Sequence, residues 1–138
     1  MDYRDDFSGG GFSIAVTNMQ SGEGFSDTVE EFAQCSYRYA RGVFYISYSS
    51  GNSKVMLKFE NGAAEIRRTG EFGSKMVYIP GRETEFDYKT PYGSIAMKLD
   101  TRSVEYSLDE NGGTAKLEYL LYAGGDKLLN KMTIKIER

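Results

Sequence analysis

Few side chains in this sequence are equipped for chemistry. The chain has no histidine and a single cysteine, Cys35. Serine or cysteine nucleophiles activated by an imidazole are therefore excluded, as is any zinc site built from histidines or several thiolates. Without a base, Cys35 reads as a small buried hydrophobe. Carboxylates remain, with Asp27, Glu30 and Glu31 in one cluster and Asp109 with Glu110 at a turn. Glycoside chemistry would need two of them facing one cleft ~5–10 Å apart. Most of the acids fall on the polar side of the alternation described below, so solvated charge is expected, with adventitious calcium the lesser alternative. Gly9-Gly10-Gly11 and Gly22-Glu23-Gly24 lack the lysine and the strand-to-helix setting of a phosphate loop and read as flexible loops. No cofactor is expected.

The elements that would position any site follow from the turns. The chain holds 16 glycines and only two prolines, Pro80 and Pro91, and the glycines punctuate short alternating runs. Two-residue hairpin loops can be placed at Gly51-Asn52, Asn61-Gly62, Asn111-Gly112 and Gly124-Gly125, with Thr90-Pro91-Tyr92-Gly93 as a tight turn. A two-residue loop fixes which residues face each other. Pairing outward from these loops sets Tyr48 against Val55, Leu57 against Ile66, Tyr88 against Ile95 and Leu117 against Met132. The opposite face pairs Lys58 with Glu65, Glu85 with Lys98 and Glu118 with Lys131. These pairs sort one face apolar and the other polar with complementary charge, each such pair being worth ~0.2–1 kcal/mol.

Strands are expected over 12–19, 27–40, 43–49, 54–60, 63–70, 75–79, 84–90, 94–99, 103–109, 114–123 and 127–137, with a turn at Asp100-Thr101 and one longer connection over Gln20 to Ser26. Leu108 would face Ala115 and Val104 would face Tyr119. The fold class is all-β, an antiparallel up-and-down barrel of about eight to ten strands, since closure removes unpaired edges. A two-sheet sandwich is disfavoured because it would need long crossovers. Residues 1–11 read as a flexible tail and 12–138 as one barrel domain.

At 138 residues the chain is one domain's worth. Its net charge of -3 offers no broad attraction for phosphate backbones or anionic lipid, so neither nucleic acid nor a membrane is an expected partner. The acidic, Gly-rich start is unlike a secretory signal, and one unpaired cysteine argues against a disulfide-stapled secreted module, so a cytoplasmic location is expected.

Four segments carry a family resemblance: Val43-Phe44-Tyr45-Ile46-Ser47-Tyr48, Tyr88 to Ser94 with its Thr-Pro-Tyr-Gly turn, Ser107 to Gly113 with its Asp-Glu-Asn-Gly-Gly turn, and the closing Leu117-Glu118-Tyr119 strand. Over roughly Phe12 to Arg138 the sequence resembles the YwiB-like family, small bacterial β-barrels placed among the calycin or lipocalin-like folds. The resemblance implies a closed or nearly closed barrel and brings no activity or catalytic residue to carry over. The Gly-rich start departs from the family's pattern, in which the first strand opens close to the N-terminus.

Two residues of inward parity break the apolar face. Arg68 falls opposite Val55 and Asn130 opposite Tyr119. A buried guanidinium must find a carboxylate, carbonyls, water or an anionic ligand. The plainer reading places Arg68 at a barrel end with its charge in solvent. For Asn130 a structural hydrogen bond is favoured over a ligand contact. The inward tyrosines Tyr48, Tyr88, Tyr106 and Tyr119 either line a ligand cavity or fill a core. The leading functional expectation is a non-catalytic barrel holding a small amphipathic ligand, with Arg68, Asn130 and these tyrosines as polar contacts. The alternative is a partner-binding module or homodimer acting through exposed Tyr45, Tyr78, Tyr92 and Tyr122. An enzyme ranks third.

Overall fold

The structure, a computed structural model, describes residues 6–138. Short alternating runs separated by turns leave the backbone amides to be satisfied by the next run of the chain. Ten strands result: β1 (Phe7–Gly22), β2 (Phe25–Ala40), β3 (Val43–Ser50), β4 (Ser53–Glu60), β5 (Ala63–Thr69), β6 (Ser74–Tyr78), β7 (Glu83–Thr90), β8 (Gly93–Asp109), β9 (Gly112–Ala123) and β10 (Asp126–Glu137). They form one antiparallel sheet in the order β6-β5-β4-β3-β2-β1-β10-β9-β8-β7. Sequence neighbours are thus spatial neighbours, and β1 lies beside β10. The sheet curls into a nearly closed barrel whose seam runs between β6 and β7. Across it Gly73 and Lys89 each donate a backbone N–H to the other's carbonyl, at 3.0 and 2.8 Å.

The turns at Gly51-Asn52, Asn61-Gly62, Pro91-Tyr92 and Gly124-Gly125 set the expected registers, including Tyr48 opposite Val55, Leu57 opposite Ile66, Phe86 opposite Met97 and Leu117 opposite Met132. The inward face is the core: Phe12, Ile14, Tyr37, Ile46, Leu57, Phe59, Leu117 and Ile134 are each at most 2% exposed. Rings interlock at one end of it, with Phe12 and Tyr37 centroids 5.1 Å apart and Phe59 and Tyr106 5.3 Å apart. The expected charged pairs are opposite each other outside, yet the close contacts run to other neighbours, such as Lys98 with Glu83 at 3.7 Å and Arg102 with Glu118 at 3.9 Å. Among the described residues no helix is long and apolar enough to cross a membrane.

Several expectations are corrected. Residues 7–11 belong to β1 rather than to a tail: Phe7 to Gly9 pair with Tyr39 to Tyr37, and the Phe7 ring lies 5.1 Å from Tyr37 and 5.8 Å from Tyr39. Two aromatic anchors, Phe7 and Phe12, hold the strand on either side of the glycines, and the register shift between Gly9 and Phe12 forms a bulge in which Gly11 adopts φ of 79°. Residues 1–5 lie outside the described residues. The β1–β2 connection is a tight hairpin, with Gly22 opposite Phe25, in place of a longer loop.

The turn expected at Asp100-Thr101 does not form, and β8 runs on as a single strand. Leu99 and Thr101, 0% and 1% exposed, stay in register with Leu121 and Tyr119, and the shift between Thr101 and Ser103 makes Arg102 an extra residue. The bulge moves inward parity from odd to even positions, so Val104 faces Leu117 and Tyr106 faces Ala115. The neighbouring hairpin turns at Glu110-Asn111, since Asp109 pairs with Gly112, two residues away from the expected register. Gly112 and Gly113 serve the ladder instead of the turn. A Cβ on Gly113 would collide with the Ser107 carbonyl and one on Gly112 with the Ile136 carbonyl. Tyr78, expected on an exposed surface, is 1% exposed because its partner Ala64 faces the core.

Candidate functional site

Inward polar groups gather at the barrel end that carries the β1–β2 and β3–β4 hairpins. There a cavity of about 240 Å³ is lined by Val16 and Asn18 of β1, Val29 and Glu31 of β2, Tyr48 of β3, Val55 and Leu57 of β4, Ile66 and Arg68 of β5, and Met132 of β10. It exceeds the ~150 Å³ that holds benzene and falls below the ~300 Å³ usual for drug-sized ligands. The aromatic cluster described above, Phe59 included, fills the barrel on the far side of Leu57.

Each polar group has a traceable placement. The Gly51-Asn52 loop sets Tyr48 opposite Val55, and the Asn61-Gly62 loop sets Arg68 opposite the same Val55. Glu31 arrives through β2, because Ala40 opposite Val43 fixes Cys35 opposite Tyr48, and Glu31 four residues back is inward again, beside Val16. Its Oε2 accepts a hydrogen bond from Ser50 Oγ at 2.5 Å. Burial, helped by a hydrogen bond to Glu31 and that carboxylate's charge, holds the Tyr48 phenol above its ordinary range, while the charge of Arg68 works in the opposite direction. Tyr48 is thus a neutral donor at physiological pH.

Arg68 is the unpaired member of the group. Among the described residues its guanidinium makes no ion pair and no hydrogen bond, although it lines the cavity and is half-buried. Asn18 is also left incomplete: its Nδ2 donates to Asn130 Oδ1 at 3.0 Å, and its buried Oδ1 has no partner. An always-charged donor fork and an orphaned acceptor thus meet an apolar lining. That arrangement can hold a small molecule. Among the described residues no group of acids or thiols could hold a metal ion.

The candidate residues divide accordingly. Tyr48 and Arg68 line the cavity. Asn130 is 1% exposed and serves structure: its Oδ1 accepts from Asn18 and Gln20, both at 3.0 Å, and its Nδ2 donates to the Leu128 carbonyl at 3.2 Å. Tyr119 is buried against Tyr78, ring centroids 4.8 Å apart, and burial pushes both phenols upward. Tyr106 accepts a hydrogen bond from Gly62 N at 3.1 Å and packs on Phe59, away from the cavity. Tyr88 stacks on Phe72 at 6.2 Å, near the seam. Glu31 and Asn18 are absent from the sequence-derived candidates. Glu31 in particular does not belong to a merely solvated cluster, and its face depends on the Arg41-Gly42 turn, where both residues adopt positive φ.

A ten-stranded, nearly closed antiparallel barrel with one polar, hollow end is the class that fold and site define. The chain belongs to the family described as "Domain of unknown function (DUF1934)", whose model matches residues 14–136. It is similar to the "Uncharacterized beta-barrel protein YwiB" of Bacillus subtilis (strain 168), 25% identical over 130 residues that span 91% of this chain and 92% of the relative. The crystal structure of the ywiB protein from Bacillus subtilis superposes with a TM-score of 0.85, covering 96% of this chain and 92% of that one at 23% identity, which shows the shared barrel.

Proposed function

We propose that the barrel is a non-catalytic container for a small amphipathic molecule with an anionic end, which the Arg68 guanidinium anchors while the apolar part lies against Val16, Val55, Ile66 and Met132. The observation that carries this reading is the unpaired, half-buried Arg68 on the wall of a cavity of about 240 Å³. Glu31 does not compete for the guanidinium at ion-pair distance, since its hydrogen bonds run to Ser50 and Tyr48. The orphaned Asn18 Oδ1 suits a ligand hydroxyl or amide N–H. The role resembles that of a lipocalin-like holder acting in the cytoplasm, where one free thiol is compatible with reducing conditions.

Calorimetric titration with octanoate, octanol and octylamine tests the reading. Octanoate should bind best, and Arg68→Ala should weaken it by about 10- to 100-fold, the loss of a charge-assisted contact of ~1.5–3 kcal/mol. Equal binding of the three probes, or octanoate binding untouched by the substitution, would reject the anionic anchor.

A further inference from the structure

β2 matches β1 in length but runs well past β3, its neighbour on the other side. It spans 16 residues, and β3 pairs with only its final stretch, from Cys35 to Ala40. Phe25 to Gln34 have β1 on one side and, among the described residues, no strand on the other. In an antiparallel strand every second residue points its N–H and C=O to the same side, so this stretch presents a row of backbone groups with no strand opposite, although Thr28 N–H donates to Asp27 Oδ1 at 2.9 Å. Its exposed apolar side chains are large, with Phe25 49%, Val29 60% and Phe32 75% exposed. Between Phe25 and Gln34 there are three acids, Asp27, Glu30 and Glu31, and no lysine or arginine. Two copies meeting along this edge would place like charges face to face, which is destabilising.

We propose that this edge docks an extended basic segment of another protein, which adds as a further strand beside β2 above the β3–β4 turn. Backbone hydrogen bonds to the free side of Phe25–Gln34 supply affinity, and lysine or arginine side chains meeting Asp27 and Glu30 select the partner. Asp27 and Val29 share the inward face of β2 and Glu30 and Phe32 the outward one, so the segment carries a basic and an apolar residue on each of its faces. Asp27 and Glu30 do not line the cavity, whereas Val29 and Glu31 of the same stretch do, so it is the charge-reversed variant at Asp27 and Glu30 that separates docking from ligand holding.

The probe is the capped peptide Lys-Lys-Val-Val-Lys-Lys-Val-Val-Lys, which presents lysine and valine on both faces of the extended chain, added to the full chain and followed by amide hydrogen exchange. Saturable protection confined to residues 25–34, weakened by added salt, is expected. The double variant D27K/E30K should lose at least tenfold in affinity and should gain binding of the peptide with glutamate in place of lysine. N-methylation of alternate peptide residues should abolish binding, and Phe32→Ser, which leaves the charges in place, should weaken it. The proposal is overturned if protection falls elsewhere, if binding survives charge reversal or N-methylation, or if sedimentation shows that the peptide-free chain covers this edge by dimerising. Should the double variant not fold, the wild-type protection map together with the N-methylated peptide and the Phe32→Ser response decides the matter.

Discussion

At the scale of single residues, Arg68 and Asn18 depart from what stability alone would select. A guanidinium with no hydrogen-bonded partner sits among Val55, Leu57 and Ile66, where burying a cation is costly. Replacing it with leucine extends the apolar lining and removes that cost. Arg68→Leu is therefore expected to raise the free energy of unfolding by about 1 kcal/mol, or the melting temperature by ~2–8 °C, while weakening octanoate binding at least as much as Arg68→Ala does. Thermal and chemical denaturation check this, and a marked loss of stability would show Arg68 to be a structural group instead. Arg68 was legible in the sequence because one two-residue hairpin, Asn61-Gly62, determines its face. Glu31 was not, because its face depends on the Arg41-Gly42 turn, where a non-glycine residue holds φ of 53° and the residue types leave the register open. Tyr106, Tyr119 and Asn130 were placed on the right side of the sheet, but parity gives no height along the barrel, and height decides between filled core and cavity.

At the scale of elements, β8 and its partner show what local patterning reads and what it misses. Alternation gave the correct inward face on both sides of Arg102, yet a bulge and a turn both reverse parity, and the sequence alone did not distinguish them. The Gly112-Gly113 pair carried a similar ambiguity, since glycine serves a tight turn and a close strand approach equally well. The structure separates these roles by what surrounds each Cα. Gly113, at φ of 142°, would drive a Cβ into the Ser107 carbonyl, whereas Gly124, at φ of 57°, has nothing within 4 Å. Gly124→Ala should thus cost only the left-handed backbone strain of ~1–2 kcal/mol. Gly113→Ala must in addition push β8 and β9 apart, and a loss of ~3 kcal/mol or more is expected from the broken ladder contacts. Urea denaturation of the two variants makes the comparison, and equal losses would show that the strands can separate there without penalty.

At the scale of the whole molecule, the barrel is only as closed as its seam. Between β6 and β7 the ladder is reduced to the Gly73–Lys89 bridge, with Thr84 Oγ1 donating to the Val77 carbonyl at 2.8 Å, while Gly81 N in the β6–β7 connection donates to the Thr101 carbonyl of β8 at 2.8 Å. Tyr78 of β6 and Tyr119 of β9 supplement these bonds from inside, ring against ring, and burial raises both phenols. Below pH ~10 the phenols are protonated in folded and unfolded chains alike, and their ionisation does not affect stability. Above it the unfolded chain releases these protons while the folded chain retains them. Each such phenol therefore lowers the unfolding free energy by about 1.4 kcal/mol per pH unit until its folded value is reached. Cys35, whose thiol burial also raises, adds an earlier decline of the same sign, which a Cys35→Ala background removes. In that background the urea midpoint should hold steady up to about pH 9.5 and then fall. Tyr78→Phe should start from a different absolute stability but show a shallower fall. Amide exchange recorded along the same pH series, corrected for the intrinsic base-catalysed rate, should show Lys75 to Tyr78 losing protection before the β1–β10 ladder does. Simultaneous loss across all strands would mean that the seam is no weaker than the rest of the wall.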